Sequence, residues 1–262
     1  MKIREGNFTG SIVAGTGVSG NNAMQLALPA EIAVDTTLNL YINDNINYRV
    51  MLWHKNSTFG IMKVGTGVAG NTLDKINTSA GLAIDSQGNI YVADHGNNRV
   101  MKWTVNATSG TIVAGVTSLP GSNSTLLNQP HGLYLDETNS YLYVADTGNH
   151  RIQRFHLGAS VIGETVAGGN GAGSGSNQLN LPYAVCVSKQ TDDIYIADTG
   201  NHRIQRWTLG TMSAVTIAGV TGFTGANSTL LNLPIYVLLS INETFLYVSD
   251  SFNNRVQRFQ LP

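Results

Sequence analysis

The sequence predicts an all-β chain: a five-bladed β-propeller of four-stranded antiparallel blades, closed by an N-terminal strand that completes the last blade. Three observations carry this prediction. One motif recurs five times, its spacing is near-constant, and the two chain ends complement each other. The clearest copy is Leu142-Tyr-Val-Ala-Asp-Thr-Gly-Asn-His-Arg-Ile-Gln-Arg-Phe155, and others begin at Leu40, Ile90, Ile194 and Leu246. Their tyrosines are Tyr41, Tyr91, Tyr143, Tyr195 and Tyr247, so successive copies lie 50, 52, 52 and 52 residues apart. That period belongs to propeller blades, far longer than a heptad or a solenoid coil.

Within each copy an apolar, β-branched and aromatic run breaks at Asp, passes Asn, and resumes at Arg-Ile or Arg-Val. This is the pattern of strand, tight turn, strand. From Leu142 to Ala145 successive residues are apolar, so both faces of this strand should be covered, as they are between stacked blades. The third unit supplies four strands in order: Gly132 to Asp136, Tyr141 to Ala145, Arg151 to His156 and Val161 to Val166. Long Gly-, Ser- and Asn-rich connections such as Gly115 to Pro130 then lead to the next unit. In a meander these connections share a face with the Asp-containing turns, which makes that face the natural binding face.

Gly10-Ser-Ile-Val-Ala-Gly15 matches the fourth strand Gly110-Thr-Ile-Val-Ala-Gly115, whereas the chain finishes on Arg255 to Phe259, a third strand. Each end supplies what the other lacks. Pairing Ser11 to Ala14 with the last strand would remove an open edge.

The Asp and Arg of each copy stand five apart: Asp44 and Arg49, Asp94 and Arg99, Asp146 and Arg151, Asp198 and Arg203, Asp250 and Arg255. Placed at the two ends of one turn, a carboxylate and a guanidinium can pair. A group needed once for chemistry would not recur in every unit, so these are read as structural ties. Gly148 and Gly200 are read as turn residues with positive φ.

The residues following the start of each first strand should surround the channel mouth: Ala30, Ala80, His131, Tyr183 and Ile235, then Glu31, Gly81, Gly132, Ala184 and Tyr236. From this set Glu31, His131, Tyr183 and Tyr236 are the candidate ligand-binding residues. One carboxylate, one imidazole, two phenols and small apolar groups suit a modest pocket, or else plug the axis. Of the six histidines, His54, His95, His131, His150, His156 and His202, the pair His150 and His202 fill one repeated slot and read as repeat features. No recognisable zinc, nucleophile-elbow or phosphate-loop motif is present. No catalytic residue, metal or cofactor is therefore assigned.

With 12 % charged residues and a net charge of −1, the chain lacks the basic stripe of a nucleic-acid binder. Trp53, Trp103, Phe155, Trp207 and Phe259 share one slot and are read as blade packing. The single Cys186 can form no internal disulfide and is read as a core thiol. No apolar run is long enough to span a bilayer. Seven Asn-x-Ser/Thr sequons, at Asn7, Asn56, Asn77, Asn106, Asn123, Asn227 and Asn242, tilt the setting toward extracellular over cytoplasmic. One domain covering residues 1–262 is expected, as a monomer.

The motif Tyr-Val-Ala-Asp-Thr-Gly-Asn-His-Arg-Ile-Gln-Arg-Phe, with Gly175-Ser-Asn-Gln-Leu-Asn-Leu-Pro182 before a later copy, resembles the NHL repeat. The copy at Leu40 departs from it, with Asn45-Ile46-Asn47-Tyr48 in place of the Gly-containing turn. The resemblance implies a propeller of four-stranded blades without implying one activity. Proteins resembling this one include RNA- and protein-binding modules, receptor sensor domains and a metal-dependent amidating lyase. Such propellers usually have six blades; five complete units with complementary ends predict five. The expectation for function is a non-catalytic scaffold that binds a protein, peptide or glycan over the channel mouth, with nucleic acid disfavoured. The alternative is a metal-dependent lyase or hydrolase resembling the enzymatic relatives.

Overall fold

The computed structural model describes residues 11–158 and 161–261 and contains five β-sheets, each a simple antiparallel meander. Blade 1 is β1 (Pro29–Val34), β2 (Leu40–Asp44), β3 (Arg49–Trp53) and β4 (Ile61–Gly65). Blade 2 is β5 (Ser79–Ile84), β6 (Ile90–Asp94), β7 (Arg99–Trp103) and β8 (Thr111–Gly115). Blade 3 is β9 (Pro130–Asp136), β10 (Tyr141–Asp146), β11 (Arg151–His156) and β12 (Gly163–Gly168). Blade 4 is β13 (Pro182–Val187), β14 (Ile194–Asp198), β15 (Arg203–Trp207) and β16 (Val215–Gly219). Blade 5 has β17 (Pro234–Leu239), β18 (Phe245–Asp250) and β19 (Arg255–Gln260). The propeller and its five blades are as the repeat predicts.

The core lies between blades. Tyr41, Val50, Leu52, Val64 and Ile76 of blade 1 and its following connection meet Leu82, Ile90, Val92, Met101 and Trp103 of blade 2, and equivalent residues fill the next three interfaces. Period-52 recurrence therefore writes the same contact repeatedly. The aromatic slot supplies the largest piece: Trp53, Trp103, Phe155 and Trp207 are all buried. Cys186 sits in the interface of blades 4 and 5, and burial pushes its thiol up to about 12, as befits a core residue without nucleophilic character.

The turn motif has one geometry in all blades. Asp146 and Arg151 face each other at the end of the ladder, joined by a 3-10 turn at Thr147–Asn149. Gly148 is not the left-handed residue of this turn. That role falls to the next slot, Tyr48, Asn98, His150, His202 and Asn254, with φ between 49° and 57°. Glycine is instead required at 148 by close approach, because a Cβ there would stand 2.6 Å from the Asn128 side chain and 2.9 Å from its carbonyl oxygen. The expectation of positive φ at Gly148 and Gly200 is corrected accordingly.

The carboxylates and guanidiniums do more than hold their own turns. Arg151 Nε donates to Asp146 Oδ2 at 2.7 Å, while its two terminal nitrogens donate to the carbonyls of Ser122, Asn123 and Leu126 in the connection entering the blade. Asp146 Oδ1 accepts from the Asn128 amide at 2.7 Å. The Arg side chain thus supplies donors to a loop whose carbonyls have no ladder partner. The asparagine within each turn, present in the motif but without an assigned role, completes the tie: Asn149 Nδ2 bridges Asp146 Oδ2 and the Gly121 carbonyl, each at 2.8 Å. Its signal was available, since Asn47, Asn97, Asn149, Asn201 and Asn253 occur in every copy.

Closure by the N-terminal strand is not seen. Gly10 lies outside the described residues, Ser11–Ala14 carry no strand, and blade 5 has three strands. Arg49 grips the carbonyls of Asn21, Asn22 and Gln25, as each blade's arginine grips its own entering connection, and Ala14 and Leu26 pack on Ile42, Met51 and Trp53 of blade 1. This is half of an interblade core, lacking the contribution of blade 5. Val256 is consequently 68 % exposed where its equivalent Val100 is 0 %, and Ile32 is 59 % exposed where Leu82 is 4 %. A seam lined by apolar side chains separates blades 5 and 1.

Candidate site at the channel mouth

The first strand of each blade begins with an irregularity. Pairing of β1 with β2 skips from Pro29 to Ile32, and comparable shifts occur in β5, in β9 between Pro130 and Leu133, in β13 around Tyr183 and in β17 around Ile235. A bulge aims side chains out of the ladder. Here it turns five consecutive strand starts toward the axis. Gly81 and Gly132 let neighbouring inner strands approach, since a Cβ on Gly132 would stand 2.5 Å from the Tyr183 carbonyl oxygen.

Glu31, His131, Tyr183 and Tyr236 all border one cavity of about 660 Å³, joined by Ala30, Ala80 and Ile235 from the same slots. His95, Asn45, Ser79, Leu238 and Ser249, which the sequence reading did not select, also line it. Ile32 and Leu238 stand on opposite sides of the seam and both reach the cavity, so the cavity continues outward between blades 1 and 5. His131 packs against Tyr183 with ring centroids 4.3 Å apart and planes tilted by 58°, and meets His95 edge-on at 6.2 Å. His95 Nδ1 lies 3.3 Å from the Pro130 carbonyl oxygen, a contact that needs its proton on that nitrogen.

Glu31 Oε2 accepts the Leu82 amide of blade 2 at 2.8 Å, whereas Oε1 is buried and finds no hydrogen-bond partner among the described residues. The Tyr236 phenol lies beside the carboxyl. Burial drives the Glu31 pKa up to about 8 against the opposing pull of the Leu82 amide and Tyr236. Burial, with the adjacent His95, lowers His131 to about 4, so its imidazole is neutral at physiological pH. Desolvation likewise raises the Tyr236 phenol.

These shifts fix a pH signature of opposite signs. Folded Glu31 holds its proton where the unfolded chain has lost it, so its contribution to stability falls as pH rises from about 4.5 to about 8. Folded His131 sheds a proton that the unfolded chain keeps, so its contribution falls as pH drops from about 6.5 to about 4. In a pH series of melting curves, Glu31→Gln is expected to gain on the wild type progressively above pH 5, and His131→Asn to gain below pH 6. Parallel curves for wild type and both variants would refute the assigned environments.

The other histidines have structural partners. His150 Nδ1 accepts the Leu181 amide at 3.0 Å and His202 Nδ1 accepts the Leu233 amide at 3.1 Å, while Asn98 Oδ1 takes Gln129 in the same way. This slot latches each turn to the next connection. Among the described residues no group of three or more His, Cys, Asp or Glu is placed to hold a metal ion. The third-strand cations are engaged across their own sheets: Arg154 pairs with Glu164 and covers Tyr141, and Lys102 lies over Tyr91. No helix among the described residues is long and apolar enough to cross a membrane.

Fold and site define a five-bladed propeller whose bulged inner strands surround an open mouth cavity. Residues 80–103, 127–155 and 179–207, in blades 2, 3 and 4, match the NHL repeat. The chain is 33 % identical over 97 residues to Protein SUPPRESSOR OF QUENCHING 1, chloroplastic, of Arabidopsis thaliana, covering 34 % of this chain and 9 % of that protein. It is 29 % identical over 152 residues to NHL repeat-containing protein 2 of Homo sapiens, covering 51 % and 21 %. The chain thus spans a small part of these relatives. Solved structures similar in fold include an auxiliary nutrient binding protein from Bacteroides thetaiotaomicron (TM-score 0.65, 17 % identity, 88 % of this chain and 58 % of that one). A streptogramin B lyase (TM-score 0.64, 12 % identity, 96 % and 72 %) and a nidogen/laminin complex (TM-score 0.67, 16 % identity, 91 % and 78 %) are also similar. At these identities the likeness concerns the fold.

Proposed function

We propose that this chain is a non-catalytic recognition scaffold that binds a protein, peptide or glycan ligand at the loop-rich channel mouth. The observation that supports it is the cavity itself: four candidate side chains from blades 1, 3, 4 and 5 converge on one open space with largely apolar walls and few polar groups. Convergence from separate blades gives a rigid site, since every contributing strand is fixed by interblade packing. A buried neutral imidazole and an elevated carboxyl pKa are compatible with acid–base chemistry as well, which keeps a lyase or hydrolase as the competing reading. Metal analysis of the purified protein separates the two: stoichiometric metal whose retention requires Glu31 or His131 favours the enzyme. An array screen over glycans and peptides tests recognition directly. Binding is expected to fall about tenfold or more in the double variant His131→Ala, Tyr236→Ala, with the melting temperature retained. Intact binding in that variant would refute the mouth site.

A further inference from the structure

Glu31 holds the one carboxylate on the cavity wall, and no lysine or arginine lines the cavity among the described residues. One oxygen of this carboxylate is satisfied by the Leu82 amide, and the other is buried without a partner. A buried oxygen without a donor is costly, more so when charged. Tyr236 from blade 5 and the tilted pair His131 and Tyr183 bring aromatic rings to the same space. A single acidic group with aromatic faces nearby and no lysine or arginine beside it is complementary to a positive N–H group carried on an apolar body.

We propose that the mouth cavity takes a small organic ammonium group, either free or at the end of a larger ligand, with its nitrogen toward the Glu31 carboxyl and its apolar part against Tyr236, Tyr183 and His131. The inference rests on the recognition reading above and adds the ligand's chemical class. An ammonium supplies N–H donors together with the charge that lets the Glu31 carboxyl ionise, whereas an alcohol supplies a donor alone and a carboxylate adds repulsion. His95, His131 and Tyr236, which share the space, are neutral at pH 7, so no resident cation competes for Glu31.

Binding has a consequence readable by calorimetry. Unliganded Glu31 retains its proton at pH 7, and an arriving ammonium keeps its own, so the carboxyl proton passes to the buffer as the ion pair forms. Titrating the full chain at pH 7 with benzylammonium, benzyl alcohol and benzoate, in buffers of different ionisation enthalpy, tests this. Benzylammonium is expected to bind about tenfold or more tighter than either analogue, with a heat that tracks buffer ionisation. Glu31→Gln is expected to abolish both the preference and the proton release. Equal or better binding of the alcohol or benzoate, no binding of benzylammonium, or a heat independent of buffer in the wild-type chain would overturn the proposal, and the last is read without any variant. Array ligands that are lost in His131→Ala, Tyr236→Ala yet show no ammonium preference would sink the ligand class alone. Benzylammonium binding that this double variant leaves intact would sink the mouth site itself.

Discussion

Replacing Arg99 by alanine is expected to destabilise the fold by about 3–5 kcal/mol, because the substitution strands a buried carboxylate and several carbonyls at once. Arg99 is fully buried. Its Nε donates to Asp94 Oδ2 at 2.8 Å, and its terminal nitrogens serve the carbonyls of Asn71, Thr72 and Lys75 and the Thr117 hydroxyl. For a chain of this size the loss corresponds to a fall in Tm of roughly 10 °C. The same substitution at Arg255 should cost distinctly less, about 1–2 kcal/mol, since its side chain is 29 % exposed beside the open edge of blade 5 and water can take over part of its role. Asp94→Asn combined with Arg99→Met is expected to recover part of the loss, because no unpaired charge remains. Denaturant melts of the three variants check the order. Equal losses at Arg99 and Arg255 would show that burial does not set the strength of the tie.

Deleting Met1–Gly15 is expected to yield an aggregation-prone protein that melts less cooperatively. Ala14 helps cover Ile42, Met51 and Trp53 on the outer flank of blade 1, and its removal opens a larger apolar area beside Ile32 and Val34, already exposed at the seam. Exposing about 100 Å² of that surface costs about 2.5 kcal/mol by area. The larger penalty is colloidal, because the unpaired edge of β19 and an uncovered tryptophan then lie at one opening. In a background with Trp103→Phe and Trp207→Phe, the emission of Trp53 should shift to the red on truncation, with light scattering rising on warming. A truncated chain that stays soluble, with unshifted emission and unchanged Tm, would deny the segment any structural role.

The sequence by itself determined the propeller, its five blades and the pairing of each Asp with its Arg, because a period of about 52 residues repeats one local pattern and one interblade contact. Glu31, His131, Tyr183 and Tyr236 were legible for the same reason: they occupy equivalent slots, and equivalent slots in a ring face one axis. What periodicity cannot express is what differs between blades or joins different units. The bulges that open a cavity, the amide of Leu82 reaching Glu31, and the packing of His95 on His131 depend on how one strand passes its neighbour, and no spacing within a single copy records that. The seam is of the same kind. Gly10 to Gly15 reads as the missing fourth strand of blade 5, yet Ser11–Ala14 carry no strand and blade 5 has three. Only the tertiary structure decided this, because a strand's own residues set its propensity while its pairing depends on where two distant stretches of chain are placed.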